Sequence, residues 1–180
     1  MWLKFLILIL LFFILALIQN SFLPHFNIMG NSPNLIFILF FILIFFEKDN
    51  RYYEGILFSI IAGFILDVLS GSYFGDAIIS LLLVYILIKI VIYFLKERQD
   101  KNLLFYFIPI FLISLASYEV LYNLSTDFYN LKFNILSAHN WQNILIGFGY
   151  NLMVAFFVFF VYKKINNLFL LNKNRQLKLF

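Results

Sequence analysis

The chain has 180 residues, of which 64% are hydrophobic and only 12% are charged, and it contains no cysteine. Ordinary soluble domains carry about 25% charged residues, so the composition excludes that class and predicts an integral membrane protein. The absence of cysteine excludes disulfide bonds and thiolate metal sites, and the net charge of +4 comes from loops and the C-terminal segment, not from a nucleic-acid-binding surface.

Apolar runs predict an all-α fold, a bundle of six transmembrane helices in one integral membrane domain that covers residues 1–180. The predicted spans lie near residues 3–19, 33–47, 53–70, 77–95, 103–123 and 142–162, and a basic tail follows at 163–180. The first run is followed by Gln19-Asn20-Ser21 and not by a small-residue cleavage site, so we interpret it as a retained span. The second run is short, about 21 Å of helix, which predicts a half-buried helix or a locally thinned bilayer.

The distribution of Lys and Arg predicts the orientation, because 11 of these 13 residues fall on one side of the six-span arrangement. They are Lys4, Lys48, Arg51, Lys96, Arg98, Lys101, Lys163, Lys164, Lys173, Arg175 and Lys178. Basic residues concentrate in cytoplasmic loops, so both termini are predicted to be cytoplasmic in a multi-pass protein of the cell membrane. The tail at 163–180 is typical of a segment that lies on an anionic lipid leaflet, and a partner-binding tail is the alternative.

Away from the first and last two residues of each predicted span, three acidic or basic residues fall inside the spans, namely Asp67, Lys89 and Glu119. The helical rise places Lys89 about 12 Å closer to the cytoplasm than Asp67, which argues against an ion pair between them. We therefore predict that the Lys89 side chain extends toward the cytoplasmic headgroups. Asp67 and Glu119 share a level near the outer third of the membrane, where a common polar cavity is one interpretation.

Asp67 stands near the end of an apolar helix, one turn before a segment that contains Ser70, Gly71, Ser72 and Gly75. Serine and glycine in this pattern predict a tight turn between spans three and four. One hypothesis is that the Asp67 carboxylate accepts hydrogen bonds from backbone N–H groups at the turn and holds this hairpin together. The alternatives are a substrate or proton site, as intramembrane acids often form, and a carboxylate that stays hydrated at the interface.

Small residues recur at helical spacing on two of the predicted spans. Gly55, Gly63 and Gly71 are eight residues apart on span three, and Gly147, Asn151 and Ala155 are four residues apart on span six. Such stripes lie close to one face of a helix and let neighbouring helices approach closely. We therefore predict helix packing at Gly55, Gly63 and Gly147.

No catalytic constellation can be assembled, so the sequence predicts neither an enzyme nor a bound cofactor or metal. His25 and His139 fall in separate predicted loops, and the chain has no nucleotide-binding or zinc-binding motif. A pair of acids such as Asp67 with Glu119 or Asp127 resembles an aspartyl protease only weakly. The outer loop at 124–140 is rich in aromatic and amide residues, which is typical of a partner surface or of an interfacial belt.

The segment from Gly63 to Gly75, which reads GFILDVLSGSYFG, resembles the most characteristic segment of the MreD family of rod shape-determining proteins. Gln19 at the end of span one and Pro33-Asn34-Leu35 at the start of span two also match the family pattern, and size and sidedness agree over nearly the full length. Span five, the outer loop and Asp76 show no motif that can be tied to the family.

The resemblance implies a non-enzymatic scaffold of the peptidoglycan elongation complex in the cytoplasmic membrane. It implies an MreC-like bitopic partner, with the elongation enzymes and actin-like MreB as indirect partners, and no nucleic acid. It also implies a fold similar to the six-helix substrate-binding subunits of energy-coupling-factor transporters. The alternative function is therefore a subunit that binds a vitamin-like molecule in an outward cavity near Asp67 and Glu119.

Overall fold

The computed structural model describes the backbone of residues 2–28, 30–47, 52–70, 73–95, 103–130 and 141–176 and the side chains of 5–28, 30–47, 52–69, 73–95, 104–124 and 144–164. The secondary structure of this part of the chain consists of six α-helices and one short 3₁₀ helix, Leu23–Phe26. The α-helices are α1 (Trp2–Ser21), α2 (Leu35–Phe45), α3 (Tyr52–Ser70), α4 (Asp76–Leu95), α5 (Leu103–Asn130) and α6 (Trp141–Gln176). The predicted all-helical class and the number of helices are confirmed.

Four of the helices contain segments that are long and apolar enough to cross a bilayer. These segments are Tyr52–Leu69, Asp76–Leu95, Leu104–Leu124 and Ile144–Lys164, while Phe5–Ser21 and Leu35–Phe45 are shorter apolar helices. A bilayer core about 30 Å thick takes about 20 residues of helix, which each of the four segments nearly or fully supplies. The chain is therefore a membrane protein.

The last two helices extend beyond the predicted spans. α5 continues to Asn130, past the predicted end near residue 123, and α6 continues to Gln176, past the predicted end near residue 162. Hydropathy shows where a helix is apolar, whereas the backbone stays helical until a capping or breaking residue ends it. Most of the predicted basic tail therefore has a helical backbone continuous with α6, while its side chains from residue 165 onward lie outside the described residues.

α2 is the centre of the bundle. Its 11 residues measure about 17 Å, which is too short to cross a bilayer core. Eight of its side chains are buried: Ile36, Phe37, Ile38, Leu39, Phe40, Phe41, Ile42 and Ile44. The helix lies against α1, α3, α4 and α6, and its aromatic rings also contact α5. A helix that is apolar on every side is stable when it is surrounded, and α2 is surrounded.

Phenylalanine rings fill the space between α2 and α5. Phe37, Phe41 and Phe45 follow one another at four-residue intervals along one side of α2. The Phe41 ring meets Phe107 and Phe111 of α5 edge to face, with ring centroids 5.5 and 5.0 Å apart. Edge-to-face pairs place a positive ring edge on a negative ring face, which adds to the burial of apolar area. The described middle of the bundle is thus packed with side chains.

Candidate functional site

Asp67 lies one turn before the end of α3, and its side chain is only 3% exposed. Its Oδ2 atom accepts a hydrogen bond from the Gly75 N–H, and its Oδ1 atom accepts one from the Ala77 N–H, both at 2.8 Å. These donors belong to the start of α4, where backbone N–H groups have no partner within the helix and the helix dipole is positive. The carboxylate of α3 therefore caps the N-terminus of α4.

The partners of Asp67 lie further along the chain than the turn at 70–72 suggested. Gly71 and Ser72, together with the side chain of Ser70, lie outside the described residues. Gly75 has a φ of +108°, a backbone conformation that is strained for any residue with a side chain. Glycine at this position allows the backbone to turn its N–H toward Asp67 as α4 begins.

Gly63 sets how closely α3 and α4 approach each other. A Cβ atom added at Gly63 would lie 2.5 Å from Ile78 Cα and 2.7 Å from Ile78 N, which are backbone atoms of α4. Because backbone atoms cannot rotate aside as a side chain can, any larger residue would push the two helices apart. Gly63 lies four residues before Asp67, so the close approach and the Asp67 cap belong to the same end of the hairpin.

A second buried carboxylate, Glu47, holds the opposite end of the same hairpin. Glu47 comes two residues after the end of α2, and its side chain is 2% exposed. Oε1 accepts a hydrogen bond from the Gly55 N–H in the first turn of α3 at 2.7 Å, and Oε2 forms an ion pair with Lys89 of α4. The prediction that the Lys89 side chain extends toward the headgroups stays a prediction, and the structure adds a carboxylate partner for it at the same end of the bundle. Sequence reasoning missed Glu47, the last residue of the predicted span 33–47.

Gly55 lies where α3, α4 and Glu47 meet. A Cβ atom at Gly55 would collide with the Tyr85 ring and lie 3.0 Å from Glu47 Oε1. The Tyr85 hydroxyl donates a hydrogen bond to the Tyr52 carbonyl at 3.0 Å, which ties α4 to the first residue of α3. The absence of a side chain at Gly55 thus leaves room for both the ring and the carboxylate.

The N-terminus of α2 is capped by side chains from three helices or their flanks. Asn34 Oδ1 accepts from the Phe37 N–H at 3.0 Å, and Gln19 Oε1 of α1 accepts from the Ile36 N–H at 3.3 Å. The Asn34 N–H itself donates to Asn151 Oδ1 of α6 at 2.8 Å. The buried start of the central helix therefore depends on residues that are far apart in sequence.

Asn151 is held in turn by α6 itself, since its Nδ2 atom donates to the Gly147 carbonyl at 2.9 Å. Gly147 lies against the chain segment before α2, and a Cβ atom there would be 3.3 Å from Asn31 Oδ1. The predicted packing position Gly147 therefore faces the polar connection between α1 and α2. The small-residue stripe on α6 contained Asn151, but its spacing gave no indication that Asn151 is an acceptor.

Asp67 and Glu119 lie in different environments. Asp67 is buried with a backbone donor on each oxygen, whereas Glu119 is an exposed residue of α5. The polar cavity shared by the two stays a prediction. His25 is exposed within the 3₁₀ helix, and His139 lies outside the described residues. Among the residues described, no group of three His, Cys, Asp or Glu side chains is arranged to hold a metal ion.

Comparison with known proteins finds a match to one protein family. The family model described as rod shape-determining protein MreD matches residues 1–165. No curated protein and no solved structure matches the chain. The matched region contains α1 to α5 and most of α6, including Asp67, Glu47, Lys89 and Asn151.

We expect Asp67→Leu to destabilise the protein more than Asp67→Asn. Leucine leaves two buried N–H groups without acceptors, at about 1–3 kcal/mol for each. Asparagine keeps one acceptor oxygen. Thermal unfolding in detergent measures the difference, and Val68→Leu, a change at an adjacent residue that is 58% exposed, should leave the midpoint unchanged. Equal midpoints for Asp67→Leu and Asp67→Asn would contradict the cap.

We expect Gly63→Ala to lower stability by about 1–3 kcal/mol, the usual cost of overpacking a tight contact. Gly149→Ala is the matched control, because a Cβ atom at Gly149 meets nothing within 4 Å. Unfolding midpoints in the same detergent measure both variants. If the two alanines have the same effect, the close approach of α3 and α4 does not depend on Gly63.

Proposed function

Because the chain belongs to the MreD family of rod shape-determining proteins, we propose that it is a non-enzymatic scaffold of the bacterial cell-wall elongation complex. Membership in the family gives the chain a role in determining rod shape. The proposal adds that it plays this role by holding other proteins in position in the membrane, not by chemistry of its own.

The observation that best supports this proposal is how the bundle uses its buried polar groups. Both oxygens of Asp67 bind backbone N–H groups, and Glu47 is engaged by Gly55 and Lys89. A catalytic acid needs an oxygen that can reach a substrate. Carboxylates that instead fix one helix against another give a bundle of defined shape, which is what a scaffold requires.

We further propose a multi-pass arrangement in the cytoplasmic membrane with both termini in the cytoplasm. The excess of Lys and Arg at one end of the bundle supports this orientation. It places Glu47 and Lys89 near the cytoplasm and Asp67 near the outer surface. An MreC-like bitopic protein would then bind through membrane helices and outer loops, and the peptidoglycan elongation enzymes and actin-like MreB would be reached indirectly.

The alternative function, a vitamin-binding subunit of an energy-coupling-factor transporter, requires a cavity with several polar groups that converge on a ligand. At the end of the bundle that carries Asp67, the described oxygens of Gln19, Asp67 and Asn151 bind backbone N–H groups of the protein itself. Phenylalanine rings occupy the space beneath them. These contacts favour the scaffold over the transporter subunit.

Depletion of the protein from a rod-shaped host should make the cells round. Wild type and Val68→Leu should restore rods, whereas Asp67→Leu should restore them poorly because less folded protein reaches the membrane. Cell width by microscopy, together with the protein level in membranes, measures the outcome. Depletion that leaves shape intact and abolishes uptake of one nutrient would instead support the transporter subunit.

The orientation predicts the activity of reporter fusions. Alkaline phosphatase fused after Ser72 should be active, and the same enzyme fused after Lys101 should be inactive, because phosphatase folds only outside the cytoplasm. A fluorescent protein that requires the cytoplasm should be bright when fused after Phe180. An active phosphatase after Lys101 would refute the proposed sidedness.

A further inference from the structure

An open groove of about 690 Å³ lies between α3 and α4 at the end of the bundle that carries Glu47. Tyr52, Ile56, Tyr85, Ile86, Lys89 and Ile90 are among the residues that line it. Its volume falls in the range of about 300–1,000 Å³ that is usual for small-molecule sites. The lining is mostly apolar, and the cationic residue among those named is Lys89.

The Lys89 ammonium is held in place in this groove. It pairs with Glu47 and lies 5.9 Å from the centroid of the Tyr52 ring and 5.8 Å from that of Tyr85. Glu47 is 2% exposed, whereas Lys89 is 18% exposed and lines the groove. An ammonium has three N–H donors, so the pair with Glu47 leaves donors that can face an occupant. The groove therefore presents a cation, with the balancing carboxylate behind it.

The groove extends to Tyr93 and Phe94, near the end of the candidate span Asp76–Leu95. Lys89 is six residues, or about 9 Å, before the end of α4 at Leu95. Tyr93 and Phe94 near that end are 76% and 77% exposed, which is typical of an aromatic belt at a membrane–water interface. Deeper along the groove than Lys89, Ile56 and Ile86 are 43% and 53% exposed, and with Ile90, which is 51% exposed, they form an aliphatic wall beside the cation.

We propose that this groove binds one anionic phospholipid. The phosphate accepts hydrogen bonds from the Lys89 ammonium, the tyrosine rings surround the headgroup, and an acyl chain lies along the isoleucines. A cation between aromatic rings, with an aliphatic wall beside it, complements an anionic amphiphile. A purely apolar partner helix would leave the remaining N–H donors of the ammonium without acceptors. The ion pair with Glu47 holds Lys89 in position before binding, which reduces the entropy lost on binding. The site is independent of the proposed scaffold function.

Native mass spectrometry of the full-length protein tests the proposal. The detergent-purified protein is incubated with equal amounts of phosphatidylglycerol and phosphatidylethanolamine that carry the same acyl chains. Wild type should retain one phosphatidylglycerol with about a fivefold preference, the factor that corresponds to about 1 kcal/mol for one basic residue near an anionic lipid. Equal retention of the two lipids by wild type would overturn the proposal.

Two variants separate the groove from general attraction of the protein to anionic lipid. Ile90→Trp fills the groove without touching the ion pair, and the paired change Glu47→Gln with Lys89→Gln removes the cation without leaving a buried charge. Both should abolish the preference. Ile79→Trp, on the same helix and 58% exposed, lies outside the groove and should keep it. A fivefold preference that survives in Ile90→Trp and in the paired variant would also overturn the proposal.

Discussion

A helix that begins inside an apolar bundle has backbone N–H groups that neither water nor lipid can satisfy. Three helices of this protein meet that constraint with oxygen atoms from side chains outside their own first turn. Asp67 serves the start of α4, Glu47 serves α3, and Gln19, Asn34 and Asn151 serve α2. Because every one of these acceptors except Asn34, the residue just before α2, belongs to another helix or to the flank of another helix, the bonds that satisfy the backbone also fix how the helices are arranged.

The six helices could be predicted from the sequence, because apolar runs of sufficient length report directly on helices in a membrane. The short second run also indicated an unusual helix, and α2 is the buried centre of the bundle. The ends of α5 and α6 could not be predicted in the same way, since both helices continue through polar residues. Hydropathy is a property of the side chains and does not register where backbone hydrogen bonding stops.

The polar contacts were predictable only in part. Asp67 stood out because a carboxylate within an apolar helix is costly and needs partners, but the turn residues alone did not single out Gly75 and Ala77 as its donors. The partner of Lys89 was missed because depth was counted along separate helices, which leaves out a neighbour such as Glu47 at the end of another helix. Contacts between helices depend on which face each helix turns toward its neighbours. The sequence of a helix that is apolar on every side does not indicate that face.

The caps also differ in when they can form as the chain is made. Asp67 and its donors are eight and ten residues apart, so the α3–α4 hairpin can close as soon as it has been synthesised. Asn34 donates to Asn151, which follows 117 residues later in the last helix. α2 is thus the second helix to be synthesised, but the hydrogen bonds at its start are complete only after α6 has been made. A chain truncated before α6 would keep the Gln19 and Asn34 bonds at the start of α2, but the Asn34 N–H would lose its acceptor, Asn151.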